Sequence, residues 1–247
     1  MRRRTRTQAL GQHFLVDRRV LGQIVKAAAI KCDEVVCEAG TGDGVLTAEL
    51  CRRAGRVVSY EVDRALYEKA RLSLGFENLQ LRNADPFSEK TEQEVKFEVF
   101  VSNLPYSRSR DAIEWLASTK FDRAIVMVQG EFADKLAAVP GDENYRAISA
   151  ISGYCFQLEK LFNVSSDAFE PPPKVESTVL RLTSVRTLSR EAIKKINWLF
   201  SQRNKKASRV AAKMTTKPAA TSQDFFGDRR IDQLEPAQLV QIAEAMP

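Results

Sequence analysis

Asn103-Leu104-Pro105-Tyr106 brings together an amide side chain, an adjoining backbone carbonyl, a rigid turn and an aromatic ring. The exocyclic nitrogen of adenine is a poor nucleophile because its lone pair is delocalised into the ring. A catalyst acting there must accept hydrogen bonds from its hydrogens and favour the tetrahedral form. The side-chain oxygen of Asn103 and the carbonyl of Leu104 are suited to that task. Pro105 would set the turn and Tyr106 would stack on the base. A turn of the Asn/Pro type with a packing tyrosine is the plainer alternative.

A second group surrounds Gly40, Gly42 and Gly44, which lie between a β-rich run and a helical pattern. Glycine there lets the backbone turn sharply and approach a nucleotide-like ligand, although a plain strand-to-helix turn also favours it. Val45 stands where a dinucleotide loop has its third glycine or alanine, and Asp43 is a poor neighbour for phosphate. Glu61, about twenty residues on, can accept both hydroxyls of a ribose. Ribose recognition without phosphate matches S-adenosylmethionine. Taken singly, Glu61 and Asp85 also read as strand-end carboxylates; their combination with the glycines favours the cofactor.

The elements that must position these groups alternate. Asp17 is a plausible N-cap for a helix with Val20, Leu21, Ile24, Val25 and Ala28 on one face. Strands are expected at Val35–Cys37, Arg56–Tyr60, Leu79–Leu81, Glu98–Val101 and Ala124–Val128, with helices up to about Arg53 and over Arg64–Leu74. This order implies a mostly parallel sheet covered on both faces, with ligands bound outside the carboxyl ends of its strands. Tyr154–Val164 and Ser177–Leu182 read as two further strands at an antiparallel edge, separated by a proline run at Pro171-Pro172-Pro173. Past Val185, Ile193, Ile196, Leu199 and Phe200 mark a helix face, and Pro236 opens a final helix. Thr215–Asp224 reads as a loop.

The chain has 247 residues, 44% of them apolar, enough for one substantial domain and a small appendage. Its net charge of +6 points to a polyanionic partner. Two clusters are candidate phosphate contacts: Arg2, Arg3, Arg4 and Arg6, and Arg203, Lys205, Lys206, Arg209 and Lys213. Each also reads as solvated surface or tail. Cys32, Cys37, Cys51 and Cys155 form no C-x-x-C pair, so they are expected to be buried free thiols in a reducing compartment. The Arg-rich start has the composition of a transit peptide, but no long apolar run follows it. No stretch reaches the length of a membrane span.

In order, these residues resemble the KsgA-type ribosomal RNA adenine dimethyltransferases, a family related to the Erm methyltransferases and the mitochondrial transcription factor B proteins. The resemblance rests on Leu10-Gly11-Gln12-His13-Phe14-Leu15, the loop Glu38 to Gly44, Asn103 to Tyr106, the run Phe169 to Ser177, and Phe200-Ser201-Gln202-Arg203. It implies that His13, Leu15, Gly40, Glu61, Asp85 and Asn103 line the S-adenosylmethionine site, with Asp85 meeting the adenine amino group. It also implies that Asn103, Leu104 and Tyr106 act on the target base and that Phe169 closes the base pocket opposite Tyr106. Two features depart from the family. The loop reads Glu-Ala-Gly-Thr-Gly where Ile and Pro are usual, and Ser107-Arg108-Ser109-Arg110 puts two cations where polar uncharged residues are usual.

The resulting expectation is an α/β, Rossmann-like class I methyltransferase fold with a seven-stranded, mostly parallel sheet over residues 1–185, and a small helical RNA-binding domain over 186–247. The sulfonium carries its own activation, so alignment and electrostatics suffice and no metal is expected. The implied substrate is a pair of adjacent adenosines near the 3′ end of small-subunit rRNA, flipped out of their stack. The protein is expected to act on the small ribosomal subunit as a cytoplasmic monomer with no membrane partner. An Erm-type enzyme acting on the large subunit is the alternative enzyme. A ribosome-assembly or transcription factor of the same fold that needs no turnover is the alternative from another class.

Overall fold

A computed structural model describes residues 13–88, 95–214 and 228–247, without the side chains of Lys213 and Met214. The arginines at positions 2, 3, 4 and 6, the signature residues Leu10 to Gln12 and the loop expected at Thr215–Asp224 lie outside the described residues. In chain order the elements are β1 (Phe14–Leu15), α1 (Arg18–Ala28), β2 (Val35–Ala39), α2 (Val45–Cys51), β3 (Arg56–Tyr60), α3 (Arg64–Ser73), β4 (Leu79–Arg82) and β5 (Val99–Asn103). There follow α4 (Ser109–Ala117), β6 (Arg123–Gln129), α5 (Gly130–Ala137), α6 (Ala147–Cys155), β7 (Phe156–Val164), β8 (Phe169–Glu170), β9 (Ser177–Ser184), α7 (Arg190–Ser201), α8 (Ala207–Met214) and α9 (Pro236–Ala245). No helix among the described residues is long and apolar enough to cross a membrane.

The described residues within 13–112, 120–133 and 159–184 form one compact unit. It carries a seven-stranded sheet in the order β4-β3-β2-β5-β6-β9-β7. The pairs β4–β3, β3–β2, β2–β5 and β5–β6 are parallel, and β6–β9 is antiparallel. Apolar runs such as Val99-Phe100-Val101 are buried on both sides, as a covered parallel sheet requires. α1 packs its face of Leu21, Ile24, Val25 and Ala28 inward, and Asp17 caps it by accepting from the backbone N–H of Arg19 (2.7 Å) and Val20 (3.3 Å). Such a cap is worth about 1 kcal/mol.

The register has a functional consequence. Glu38 of β2 lies opposite Ser59 of β3 and Val101 of β5. Two residues further on, Gly40, Glu61 and Asn103 therefore reach the same level at the carboxyl ends of three adjacent strands. Three expected residues thus converge because parallel strands in phase carry equal offsets to equal heights.

The described residues within 113–119, 134–158 and 185–247 form a second, helical unit. Within it α6, α7 and α9 pack on one another, and Tyr145 donates its hydroxyl proton to the Leu234 carbonyl at 3.1 Å. α6 corrects the sequence reading, which began a strand at Tyr154; the strand starts at Phe156 and the helix runs up to it. Ala147, Ile148, Ser149, Ala150, Ile151 and Ser152 are all buried, so this helix has no polar stripe to betray its period. The thiols also need correction in one case: Cys37, Cys51 and Cys155 are buried, whereas Cys32 is exposed.

Candidate active site

Backbone bonds tie the loop after β2 to the neighbouring strand. The N–H groups of Gly40 and Thr41 both donate to the Tyr60 carbonyl, at 2.8 and 3.2 Å. Gly40 has φ of +86°, and a Cβ there would come no nearer than 4.0 Å to any neighbour. Glycine is thus required by the backbone angle and not by crowding.

Glu61 leaves β3 and turns into this loop. Its carboxylate accepts from the N–H of Gly42 and of Asp63, both at 2.9 Å. The site thereby ties its acidic residue to the glycine turn. Asp43, read from sequence as a deterrent to phosphate, is ion-paired with Lys69 of α3 at 2.6 Å.

Beneath the loop lies a polar network that the sequence reading did not find. Glu38 is wholly buried and accepts from the hydroxyls of Ser59 (2.6 Å) and Thr47 (2.7 Å) on one oxygen. Thr41 then lies 2.6 Å from the Ser59 hydroxyl, and since Ser59 donates to Glu38, Thr41 donates to Ser59. The other Glu38 oxygen, Oε1, has no hydrogen-bond partner. Burial raises the Glu38 pKa to about 7 against the pull of both hydroxyls, and Glu61 pushes the same way. The available signal was a carboxylate inside an otherwise apolar strand.

Asn103 ends β5, and Ser102 before it anchors the strand by donating to the Ala39 carbonyl at 2.6 Å. The Asn103 amide nitrogen donates to the His13 carbonyl at 3.3 Å, which leaves the amide oxygen as the free acceptor. His13 donates from Nδ1 to the Pro171 carbonyl at 2.7 Å, and its ring lies 5.4 Å from that of Tyr106. Tyr106 is half-buried and hydrogen-bonded through its hydroxyl to Ser177 at 2.8 Å. Burial raises its pKa, partly offset by Ser177. His13, Gly40, Glu61, Asn103, Leu104 and Tyr106 share one cavity lining. Leu15 lines an adjoining cavity with Gly40 and Asn103.

Two expected residues stand apart from these linings. Asp85 accepts from Arg108 at 2.7 Å and from the Phe87 N–H at 2.9 Å. The Arg108 guanidinium lies over the Phe87 ring, 5.6 Å from its centroid, and also pairs with Asp111 at 3.3 Å. Phe169 is only 3% exposed, pairs with Leu15 across β1 and β8, and joins the hydrophobic core.

The residues present fit S-adenosylmethionine. A glycine turn and a strand-end carboxylate bonded to it, beside a cavity lined by Gly40, Glu61 and Asn103, suit a ribose-bearing molecule.

Comparison with known proteins agrees with this chemistry. The family described as ribosomal RNA adenine dimethylase matches residues 3–246. Ribosomal RNA small subunit methyltransferase A of Thermotoga petrophila is 38% identical over 199 residues, covering 79% of this chain and 76% of that protein. Among solved structures, a dimethyladenosine transferase from Plasmodium falciparum superposes with a TM-score of 0.78 at 25% identity, covering 93% of this chain and 96% of the other. The 23S rRNA methyltransferase ErmE gives a TM-score of 0.64 at 27% identity, covering 94% and 99%.

Proposed function

Because the chain belongs to the ribosomal RNA adenine dimethylase family, we propose that it acts on the small ribosomal subunit, methylating N6 of two adjacent adenosines near the 3′ end of its rRNA. Ribosomal RNA adenine dimethylation with S-adenosylmethionine as donor follows from the family. The choice of subunit, the cytoplasmic location, the monomeric state and the residue roles are our reading. The observation that carries the residue roles is the convergence of Gly40, Glu61 and Asn103 at one level of the sheet, with Tyr106 beside them, and the subunit follows the small subunit methyltransferase A relatives.

When bound, S-adenosylmethionine supplies a methyl group already activated by its sulfonium. Glu61, Gly40, His13 and Leu15 would hold the cofactor, and Asp85 would meet its adenine once released from, or oriented by, Arg108. The Asn103 side-chain oxygen and the Leu104 carbonyl would accept hydrogen bonds from the target amine, drawing its lone pair out of the ring. His13 fixes the amide by accepting from its NH₂. Tyr106 would stack on the extruded base, with Ser177 holding its hydroxyl and Phe169 packed behind the pocket. In this division of labour residues 1–185 perform the transfer, and residues 186–247 hold RNA through the basic cluster from Arg203 to Lys213.

The test incubates the purified protein with labelled S-adenosylmethionine and small subunits lacking adenine methylation, beside large subunits and naked RNA, followed by nucleoside analysis. Dimethyladenosine confined to the small subunit, and lost in Asn103→Ala, is the expected result. Label only in large subunits would overturn the subunit assignment. Cofactor binding without transfer to any RNA would favour an assembly factor.

A further inference from the structure

The helical unit carries a shallow groove on which four sequence segments converge. α7 contributes Trp198, the following turn contributes Lys205 and Lys206, α8 contributes Arg209, and the segment entering the last helical turn contributes Arg230. The segments are fastened together. Lys206 and Arg230 form a β-bridge, the Ala207 N–H donates to the Arg229 carbonyl at 2.9 Å, and the Ile231 N–H donates to the Lys205 carbonyl at 3.2 Å. Behind them Ala207, Val210, Ala211 and Ile231 are buried. The groove is therefore built by the fold and not by a loose charged tail.

Trp198 is 37% exposed at this groove, and among the described residues Arg209 and Arg230 form no ion pair. Among the described residues Lys206 pairs with exposed Asp228, whose charge Arg209 also feels, an interaction weak enough to be exchanged for another anion. A single exposed aromatic ring would need no explanation on its own. Ringed by four cations, it matches a ligand with both a flat apolar face and regularly spaced negative charge. An apolar protein surface would leave those cations uncompensated.

Building on the proposed RNA substrate, we propose that this groove binds an unpaired RNA segment, with one base stacked on Trp198 and its flanking phosphates held by Lys205, Lys206, Arg209 and Arg230. The indole reads no particular base, since every base has a stacking face. Trp198 thus holds a base other than the one that is methylated, and the cations make the contact dependent on salt.

The chain has two tryptophans, so a full-length Trp115→Phe variant reports on Trp198 alone. Its emission should be quenched saturably by an unstructured adenine-rich RNA oligonucleotide and not by inorganic polyphosphate. Trp198→Ala should weaken binding of that RNA on the order of tenfold with its salt slope unchanged, and Trp198→Phe should restore most of the loss. Arg209→Ala with Arg230→Ala should instead lower the slope by about 1.4, the share of two phosphates on a single strand. Thermal melting and circular dichroism, equal in all variants, verify that each is folded. Absence of quenching, equal quenching by polyphosphate, or wild-type RNA affinity in Trp198→Ala would overturn the inference. If methyl transfer to small subunits persists alongside any of these, the groove assignment alone fails. If no RNA is methylated at all, the parent reading fails.

Discussion

Glu38→Gln isolates the buried network under the glycine loop. The Glu38 carboxyl is enclosed, accepts from Ser59 and Thr47 on one oxygen, and has nothing against the other. Burial raises its pKa from 4.5 to about 7. Between those values the folded protein keeps a proton that the unfolded chain has released. The stability contributed by the neutral acid is therefore fully present below pH 4.5 and is lost as pH rises through about 7. The gap between the two values corresponds to about 3 kcal/mol, of which roughly 2–3 falls between about pH 5 and pH 8. Glutamine keeps an oxygen to accept from both hydroxyls, does not titrate, and places its NH₂ where Oε1 already lacked a partner. Urea unfolding of both proteins at these two pH values cancels every other titration they share. The variant should gain about 2–3 kcal/mol relative to wild type on going from the lower to the higher pH. A difference that does not change with pH would refute the reasoning, because it would mean that Glu38 has the same proton affinity folded and unfolded.

Tyr106→Phe removes only the hydroxyl bonded to Ser177, so it should cost about 1 kcal/mol of stability and leave methyl transfer within a few-fold of wild type. Tyr106→Ala removes the stacking face and should lower kcat/KM about tenfold or more, with cofactor affinity retained; equal losses in the two variants would assign the effect to the hydroxyl. Two glycines should respond to alanine with opposite sign in thermal melts. Gly44 has φ of +78° and its Cβ would lie 3.0 Å from Leu74 Cδ1, so Gly44→Ala should destabilise by about 1–2 kcal/mol. Gly22 lies within α1 with nothing near its Cβ position, so Gly22→Ala should stabilise by up to about 1 kcal/mol.

The strand, loop and helix order was legible in the sequence because covered parallel strands are continuous apolar runs, and Val99-Phe100-Val101 and Ala124 to Val128 advertise themselves. So was the grouping of Gly40, Glu61 and Asn103, since each ends a strand or directly follows one and parallel pairing raises them to one level. α6 was hidden for the converse reason: buried all round, it offered no stripe. The Glu38 network was out of reach because its hydroxyls come from the loop, α2 and β3, and only the register of Glu38 with Ser59 brings them together.

Charge was the least legible property, because a side chain's type does not reveal whether another already engages it. Asp43 was read as unfriendly to phosphate, yet Lys69 of α3 meets it, so its charge is balanced locally and the case against a pyrophosphate rests on Glu61 and the loop's missing third glycine. Asp85 was read as the partner of an adenine amino group, yet Arg108 holds one of its oxygens and the Phe87 N–H the other. An adenine amine must therefore share or displace one of these donors. The two cations after Tyr106, noticed as a departure from the family, thus bear on more than the RNA entrance: Arg108 reaches back to Asp85, and if Asp85 recognises the cofactor as proposed, this pair would couple the segment after Tyr106 to the donor site.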